Sequence, residues 1–403
     1  MLAQRVDVRE GNDPKIRIGM VTTLQPESHV ARFLLAELQK IEPVAILCEQ
    51  DARNAEAPFE DVYQLWTVGS QFRAAILKTV RALGIRVLHI HHEFNMYGKL
   101  GLLEFPRLLG DLKKLGVRTL VTVHGVIPPD VIDDAFATTF GVPKFPLSSH
   151  VYRGVFGKFY RVLAKSADAI HVHSERSKRD LVDYYGARPD HVHVIPVGIP
   201  FSEPSSELPL APWVPFVNES TLLFFGYVLP RKGLEVLIQA FARVRQVVPE
   251  ARLIIAGGEL PAHQQYAQSL RDLVSRSGLS DSIVFTGFIS HTEMRWLYRE
   301  AAAVVLPYTI SVSSSLPLSF AVEARTPVIA SDFEQFSEIL REYRFGSLVK
   351  AGDATALGDA CIKMLTDGEF RESCAAEAER CANDLSWANA AVRAHALYEN
   401  LAS

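Results

Sequence analysis

The sequence predicts an α/β protein made of two doubly wound, mostly parallel domains joined in series. Three observations carry this. The chain has 403 residues, too many for one ordinary core. Short apolar runs alternate with stretches of helical periodicity. A proline-rich break falls near the middle, and the same alternation restarts after it.

Residues 1–14 are polar and read as a loose tail. IRIGMVTT (16–23) is a short apolar run, expected as a buried strand. Val30, Phe33, Leu34 and Leu38 then recur at helical spacing over 29–40. PVAILCE (43–49), RVLHIHH (86–92), RTLVTVH (118–124), AIHVHS (169–174) and HVHVIPVG (191–198) read as strands, with helices near 70–83 and 104–115. Residues 201–219 carry Pro204, Pro209, Pro212 and Pro215 and mark an interdomain connection. STLLFFG (220–226) opens the second series. Leu234, Leu237, Ile238, Phe241 and Val244 share one helical face behind it, and RLIIAGG, SIVFTGF, AAVVLPY and PVIAS are further strands. The final segment reads as an amphipathic helix capped by Ser386. The expected division is a tail (1–14), an N-terminal domain (15–200), a linker (201–219), a C-terminal domain (220–385) and a last helix (386–403).

Composition narrows the function. Hydrophobic residues make up 48% and charged residues 22%, a globular balance. The net charge is −4 and the pI about 6.4, so the basic surplus of a nucleic-acid binder is missing. Cys48, Cys361, Cys374 and Cys381 form no CxxC pair and read as reduced, buried or incidental thiols. The N-terminus lacks an apolar signal core, and no apolar run approaches the ~20 residues of a membrane span. The default compartment is therefore the cytoplasm. Doubly wound sheets bind ligands at the C-terminal ends of their strands, where helix N-termini favour anions. G-x-G-x-x-G is absent, which speaks against a nicotinamide or flavin dinucleotide.

Several segments together resemble the retaining GT-B glycosyltransferases of family 4, in the family's order and across most of residues 16–401. They are VTVHG (121–125), ADAIHVHSERSKRDL (167–181), VHVIPVGIP (192–200), FFGYVLPRKGLEVLIQAF (224–241), ARLIIAGG (251–258), IVFTGFISHTEMRWLYREA (283–301), VVLPY (304–308) and LPLSFAVEARTPVIASD (316–332). The resemblance implies two Rossmann-like domains facing across a cleft, with the last helix crossing back to the N-terminal domain. It also implies transfer of a hexose from a nucleotide diphosphate sugar, of the UDP or GDP type, with no bound cofactor and no metal.

The sequence departs from the family pattern at defined places. The Glu-x7-Glu motif, which holds sugar hydroxyls and ribose, aligns with Val312 and Phe320. Glu323 lies three residues too late. The glycine two residues before Pro327 is Arg325, the donor-site Gly-Arg is Gly226-Tyr227, and TTLQPESH (22–29) replaces a glycine-rich first loop. Some members of the broader family carry a Ser/Thr-rich segment in place of the carboxylates, a part that Ser313, Ser314 and Ser315 would take.

By this resemblance Lys232 contacts the diphosphate, where a fixed cation stabilises the leaving group; the alternative is a solvated lysine before a glycine. Arg231 is either a reserve cation or a surface arginine. His124 ends an apolar strand and falls where the family places a histidine near donor sugar and acceptor; a hydrogen-bonded strand-end histidine is the alternative. Gly226, Gly257 and Gly258 either admit the nucleotide or serve plain turns. Ser313–Ser315 either meet a phosphate or sugar or cap a helix. Glu323 is a shifted candidate for the ribose, and Glu93 a candidate for acceptor hydroxyls. His89, His91 and His92 suggest a metal, but strand alternation sends His92 to the opposite face. YRGVFGKFYRVLAKS (152–166) mixes aromatic and basic residues and reads as a helix packed on its own domain, or as a contact with the inner face of a membrane.

The expected function is a retaining glycosyltransferase acting on a nucleotide sugar and a hydroxyl acceptor, without nucleic acid. Two alternatives stand beside it: a catalytically silent homologue serving as a binding subunit, and a nucleotide-sugar epimerase.

Overall fold

The computed structural model describes residues 17–24, 29–50, 59–67, 72–92, 101–132, 148–199, 210–310 and 315–403. The chain divides into two compact units. The first takes Met1–Asp130, His150–Pro196 and Ala388–Ser403, and the second takes Val131–Ser149 and Val197–Trp387.

The first unit is built on β1 (Ile18–Val21), β2 (Val44–Glu49), β3 (Val62–Trp66), β4 (Val87–His92), β5 (Arg118–Val123), β6 (Ala169–Val172) and β7 (Val192–Val194). They run parallel in the order β3-β2-β1-β4-β5-β6-β7. Every residue of β1, β2 and β4 is buried, because helices cover both faces of a parallel sheet and its strands read as continuous apolar runs. The helices are α1 (His29–Ile41), α2 (Arg73–Leu83), α3 (Gly101–Lys114), α4 (Ser148–Ser166) and α5 (Glu175–Tyr185). Ser174 caps α5, its side chain accepting from the Ser177 N–H at 3.1 Å. β3 escapes the sequence reading because it is an edge strand. It is only half-buried, and Gln64 interrupts its apolar pattern.

The second unit contains β8 (Thr221–Phe225), β9 (Arg252–Ala256), β10 (Ile283–Gly287), β11 (Ala303–Leu306), β12 (Val328–Ser331) and β13 (Gly346–Val349). Their order is β10-β9-β8-β11-β12-β13, again all parallel. Its helices are α6 (Leu234–Val247), α7 (Gln264–Arg276), α8 (His291–Glu300), α9 (Leu316–Glu323), α10 (Glu334–Tyr343), α11 (Ala354–Thr366) and α12 (Gly368–Asp384). The five apolar residues read onto one face of α6 are all fully buried. Ser290 and Glu293 close a reciprocal capping box at the start of α8. Residues 210–219, read as linker, are folded into this unit: Trp213 is buried in its core, and Val214–Phe216 forms a single 3-10 turn. A proline-rich run resembles a tether in composition, but a tryptophan that finds a core orders it.

The last helix, α13 (Trp387–Ala402), joins the first unit from Ala388 onward. Ala391, Ala394 and Tyr398 are buried, and His395 Nε2 lies 2.6 Å from a Glu42 carboxylate oxygen.

Between α9 and β12 the backbone turns through Arg325 at φ 58°, in the left-handed region that disfavours a Cβ. This is the position where the family resemblance calls for glycine. Among the described residues the Arg325 guanidinium meets an exposed partner, Glu379 at 2.9 Å, a contact of little worth in water. Replacing Arg325 by glycine is therefore expected to stabilise the second unit by about 1 kcal/mol, the usual left-handed penalty. A calorimetric midpoint that falls instead of rising would show that Arg325 holds more than this turn.

Candidate functional site

In the second sheet the strand order reverses between β8 and β11, and the segments leaving those two strands lie at the switch point where doubly wound sheets bind ligands. After β8 comes Gly226, at φ 139°, whose N–H donates to the Ala256 carbonyl at 2.9 Å. After β9 comes Gly257, at φ 142°. A Cβ there would sit 2.1 Å from the Gly226 carbonyl oxygen. The Phe288 ring already fills the space beside Gly258. Gly257 and Gly258 thus answer first to crowding between strand ends. Next to them Tyr227, at the family's arginine position, is 39% exposed and meets Phe288, 72% exposed, edge to face at 5.8 Å.

The segment after β8 continues through the turn Pro230–Lys232 to Gly233, at φ 69°. A Cβ on Gly233 would lie 1.9 Å from the Pro307 carbonyl oxygen. This close approach sets Lys232 against the segment leaving β11. The Lys232 ammonium donates to the Tyr308 hydroxyl and stands 3.7 Å from the centroid of that ring. Among the described residues no carboxylate pairs with Lys232. Burial first, and then the neighbouring Arg231 charge, push its pKa well below the ordinary lysine value. Burial also lowers Arg231, and pushes Tyr308 up to about 12. Two adjacent, desolvated cations with a polarised phenol form a site that an anion would stabilise.

The remaining donor-side candidates fall out unevenly. Val312, Ser313 and Ser314 lie outside the described residues. Ser315 is buried; its side chain caps α9, accepting from the Leu318 N–H at 3.4 Å, and hydrogen-bonds Tyr308. It therefore supports the phenol beside Lys232. Phe320 is buried, edge-on to Tyr298 at 6.0 Å and His291 at 6.2 Å. Glu323 is drawn toward Arg295 of α8 at 3.7 Å.

In the first unit β4, β5 and β6 bring imidazoles together in two rows on one face. In one row Tyr398 Oη lies 2.6 Å from His89 Nδ1, His89 Nε2 lies 2.6 Å from Thr122 Oγ1, and Thr122 Oγ1 lies 2.7 Å from His171 Nδ1. His171 Nε2 then reaches the Ile195 carbonyl at 2.9 Å. In the other, His91 Nδ1 lies 3.0 Å from His124 Nε2, and His124 Nδ1 lies 3.2 Å from His173 Nε2. His173 Nδ1 reaches the same Ile195 carbonyl at 3.1 Å. His92 is turned away between Phe105 and Phe159, with ring centroids 4.7 and 4.5 Å off. Among the described residues no group of three or more His, Cys, Asp or Glu is placed to hold a metal. Glu93 lies outside the described residues.

Four residues escaped the sequence reading. Tyr308 carried a usable signal, a polar residue just past an apolar strand. So did Glu49, at the end of β2: it is buried and accepts from the Thr23 hydroxyl at 2.6 Å and the Leu24 N–H at 3.3 Å. His171 in β6 and His173 one residue past its end share a side, but only the sheet order puts them beside β5. The aromatic part of 152–166 is used internally: Tyr160 is buried in α4 and donates to the Gly125 carbonyl at 2.8 Å, behind His124. No helix among the described residues is long and apolar enough to cross a membrane.

Two doubly wound parallel sheets, one with a desolvated basic site at its switch point, define the GT-B class of α/β protein. Residues 34–203 match Glycosyltransferase Family 4, residues 211–380 match Glycosyl transferases group 1, and the chain belongs to this family. It is 30% identical over 209 residues to the phosphatidyl-myo-inositol mannosyltransferase of Mycobacterium leprae, covering 52% of this chain and 54% of that one. It is 28% identical over 241 residues to the D-inositol 3-phosphate glycosyltransferase of Stackebrandtia nassauensis, covering 57% and 53%. The chain thus spans about half the length of the curated relatives it matches. Among solved structures it resembles Anabaena HepE in complex with UDP, with TM-score 0.74, 16% identity and 96% and 100% coverage. It also resembles the sucrose-phosphate synthase of Thermosynechococcus elongatus, with TM-score 0.72, 18% identity and 96% and 99% coverage. At these identities the structural likeness speaks for the fold.

The histidine rows carry a pH prediction. Burial lowers the five row imidazoles and His92 as well: His92 and His173 to about 3, His124 to about 4, and His89, His91 and His171 well below the ordinary value. Above about pH 6.5 these rings are neutral in both the folded and the unfolded chain. Below it the unfolded chain takes up protons that the folded unit refuses, so stability falls as pH falls, through the window down to the depressed values. Each imidazole contributes a loss of about 1.4 kcal/mol per pH unit there. Hydrogen exchange in β4–β6, corrected for intrinsic rate, is expected to lose protection between pH 7.5 and 5.5. Unchanged protection would mean that these rings are not buried in neutral form.

Proposed function

We propose that this protein transfers a hexosyl group from a nucleoside diphosphate sugar to a hydroxyl acceptor, with retention of anomeric configuration. The observation that carries the reading is Lys232, a buried cation with no carboxylate partner among the described residues, held at the switch point of the second sheet. A diphosphate supplies the missing negative charge, and the family to which the chain belongs gives that charge a role. The bond from the anomeric carbon to the β-phosphate oxygen breaks, with its electron pair left on the phosphate. The acceptor oxygen bonds to the anomeric carbon on the same face, and its proton passes to the departing phosphate. Lys232 and Arg231 offset the charge that develops there. Because the leaving group takes the proton, no enzymic carboxylate is required for this step. Within the UDP or GDP donor class, the UDP bound to Anabaena HepE supports the uridine member.

Phe320 favours a second reading. An aromatic ring in the position of a ribose-holding carboxylate suits a silent homologue that binds a partner or nucleotide without turnover. A panel of nucleotide sugars, read for thermal stabilisation and for transfer to lipid-linked, glycan and small-molecule hydroxyls, separates the two. Stabilisation without transfer or hydrolysis favours the silent subunit.

Lys232→Ala is expected to weaken nucleoside diphosphate binding by about 1.5–3 kcal/mol, roughly 10- to 150-fold in Kd. An unchanged Kd would place the phosphates elsewhere. With Phe320 packed against Tyr298 and His291, and Glu323 drawn to Arg295, the ribose has lost its expected carboxylate. Calorimetric titration with the diphosphate and its 2′-deoxy analogue should give Kd values within about threefold, under 0.7 kcal/mol. A preference for ribose beyond tenfold would require another group at the sugar.

A further inference from the structure

The two histidine rows share one terminal acceptor, and that fixes the direction of every hydrogen bond in them. The Ile195 carbonyl can only accept, so His171 donates to it from Nε2 and His173 from Nδ1. A neutral imidazole has one N–H, and these buried rings are neutral. His171 Nδ1 must therefore accept from the Thr122 hydroxyl, whose oxygen accepts from His89 Nε2–H. His89 Nδ1 in turn accepts from the Tyr398 hydroxyl. In the second row His173 Nε2 must accept from His124 Nδ1–H, and His124 Nε2 from His91 Nδ1–H. One row is thus all Nε2–H and the other all Nδ1–H, although their members alternate along the same strands.

The consequence falls on His124, the least buried member, one residue past β5. We propose that His91 and His173 are positioning residues that hold His124 as a neutral Nδ1–H imidazole with both ring nitrogens engaged, so that His124 gives the site a fixed neutral ring and carries no proton in transfer. His91 does this from β4 and His173 from β6, both anchored in direction by Ile195. The role in transfer rests on the glycosyltransferase reading above; the tautomer assignment does not. The titratable groups on the elements around His124 are His89 and His91 of β4, His171 and His173 at β6, Tyr160 of α4 and Tyr398 of α13. Burial alone depresses His124, and no carboxylate among the described residues opposes it.

The test is long-range nitrogen–proton correlation NMR on full-length protein carrying labelled histidine, at pH 7.5, with His124 assigned by the signals lost in His124→Gln. His91, His124 and His173 are expected with protonated Nδ1 and bare Nε2, and His89 and His171 with the reverse. His173→Leu removes the acceptor and should release His124 from the single Nδ1–H form, while His173→Gln, whose amide oxygen can accept in its place, should retain it. If His173→Leu does not fold, the wild-type and His173→Gln spectra decide alone. Where transfer is measurable, the wild-type pH profile should show no limb from His124. A wild-type His124 that reads as Nε2–H or as imidazolium overturns the proposal, whatever the activity. The expected tautomers without any donor binding or transfer leave the positioning in place and sink the glycosyltransferase reading instead.

Discussion

Desolvation of charge at the strand ends is the constraint on which the rest depends. Both units place ionisable side chains where a parallel sheet meets its loops, and among the described residues no carboxylate pairs with Lys232 in the second. A buried charge without a partner is costly, so the group either gives up its charge or awaits a counter-ion. The first unit takes the former course. Its imidazoles are neutral, and a hydroxyl, a phenol, one carbonyl and the neighbouring rings take up their hydrogen bonds along the two rows. The second takes the latter. Lys232 and Arg231 lie together in low dielectric beside a phenol that offers only a dipole. The first unit's histidine rows thus avoid charge, while Lys232 in the second is a cation that an anion would stabilise.

Much of the fold was legible because parallel strands buried on both faces must be continuous apolar runs. IRIGMVTT, PVAILCE and RVLHIHH could hardly be anything else, and the α6 face followed from spacing alone. What escaped did so for physical reasons. β3 is an edge strand and needs only half an apolar pattern. Trp213 orders a stretch whose prolines suggest a tether. The site was legible in its charges and not in its couplings: Lys232 and His124 stand out in the sequence, whereas Tyr308 and His173 matter only through strand order. β11 lies beside β8, and β6 beside β5, and no local pattern contains that adjacency.

The departures from the family pattern separate what backbone geometry demands from what side-chain chemistry demands. At 325 the side chain has changed and the left-handed backbone remains, so the turn between α9 and β12 is required by the fold. At 226, 233 and 257 glycine persists, and in the latter two a Cβ would strike a carbonyl oxygen. Position 320 is different in kind. An aromatic ring there is buried among aromatic neighbours, so the substitution is absorbed into the core and removes a ligand contact without disturbing the helix.

That pattern bears on where the binding energy for a donor would lie. With Phe320 in the core and Glu323 drawn to Arg295, the carboxylate contacts expected for the ribose are missing. On the diphosphate side Tyr227 removes one cation and Lys232 stays: it is held by a glycine turn against Pro307, by the Tyr308 hydroxyl, and through Tyr308 by Ser315 at the N-terminus of α9. Interactions with the departing phosphates strengthen as charge develops on them, whereas contacts to ribose are equal in ground and transition states. A site that keeps the former and sheds the latter loses affinity before it loses rate. For a transferase, Phe320 would thus fall on a contact that catalysis needs little, whereas Tyr227 would leave Lys232 and Arg231 to carry the leaving-group charge.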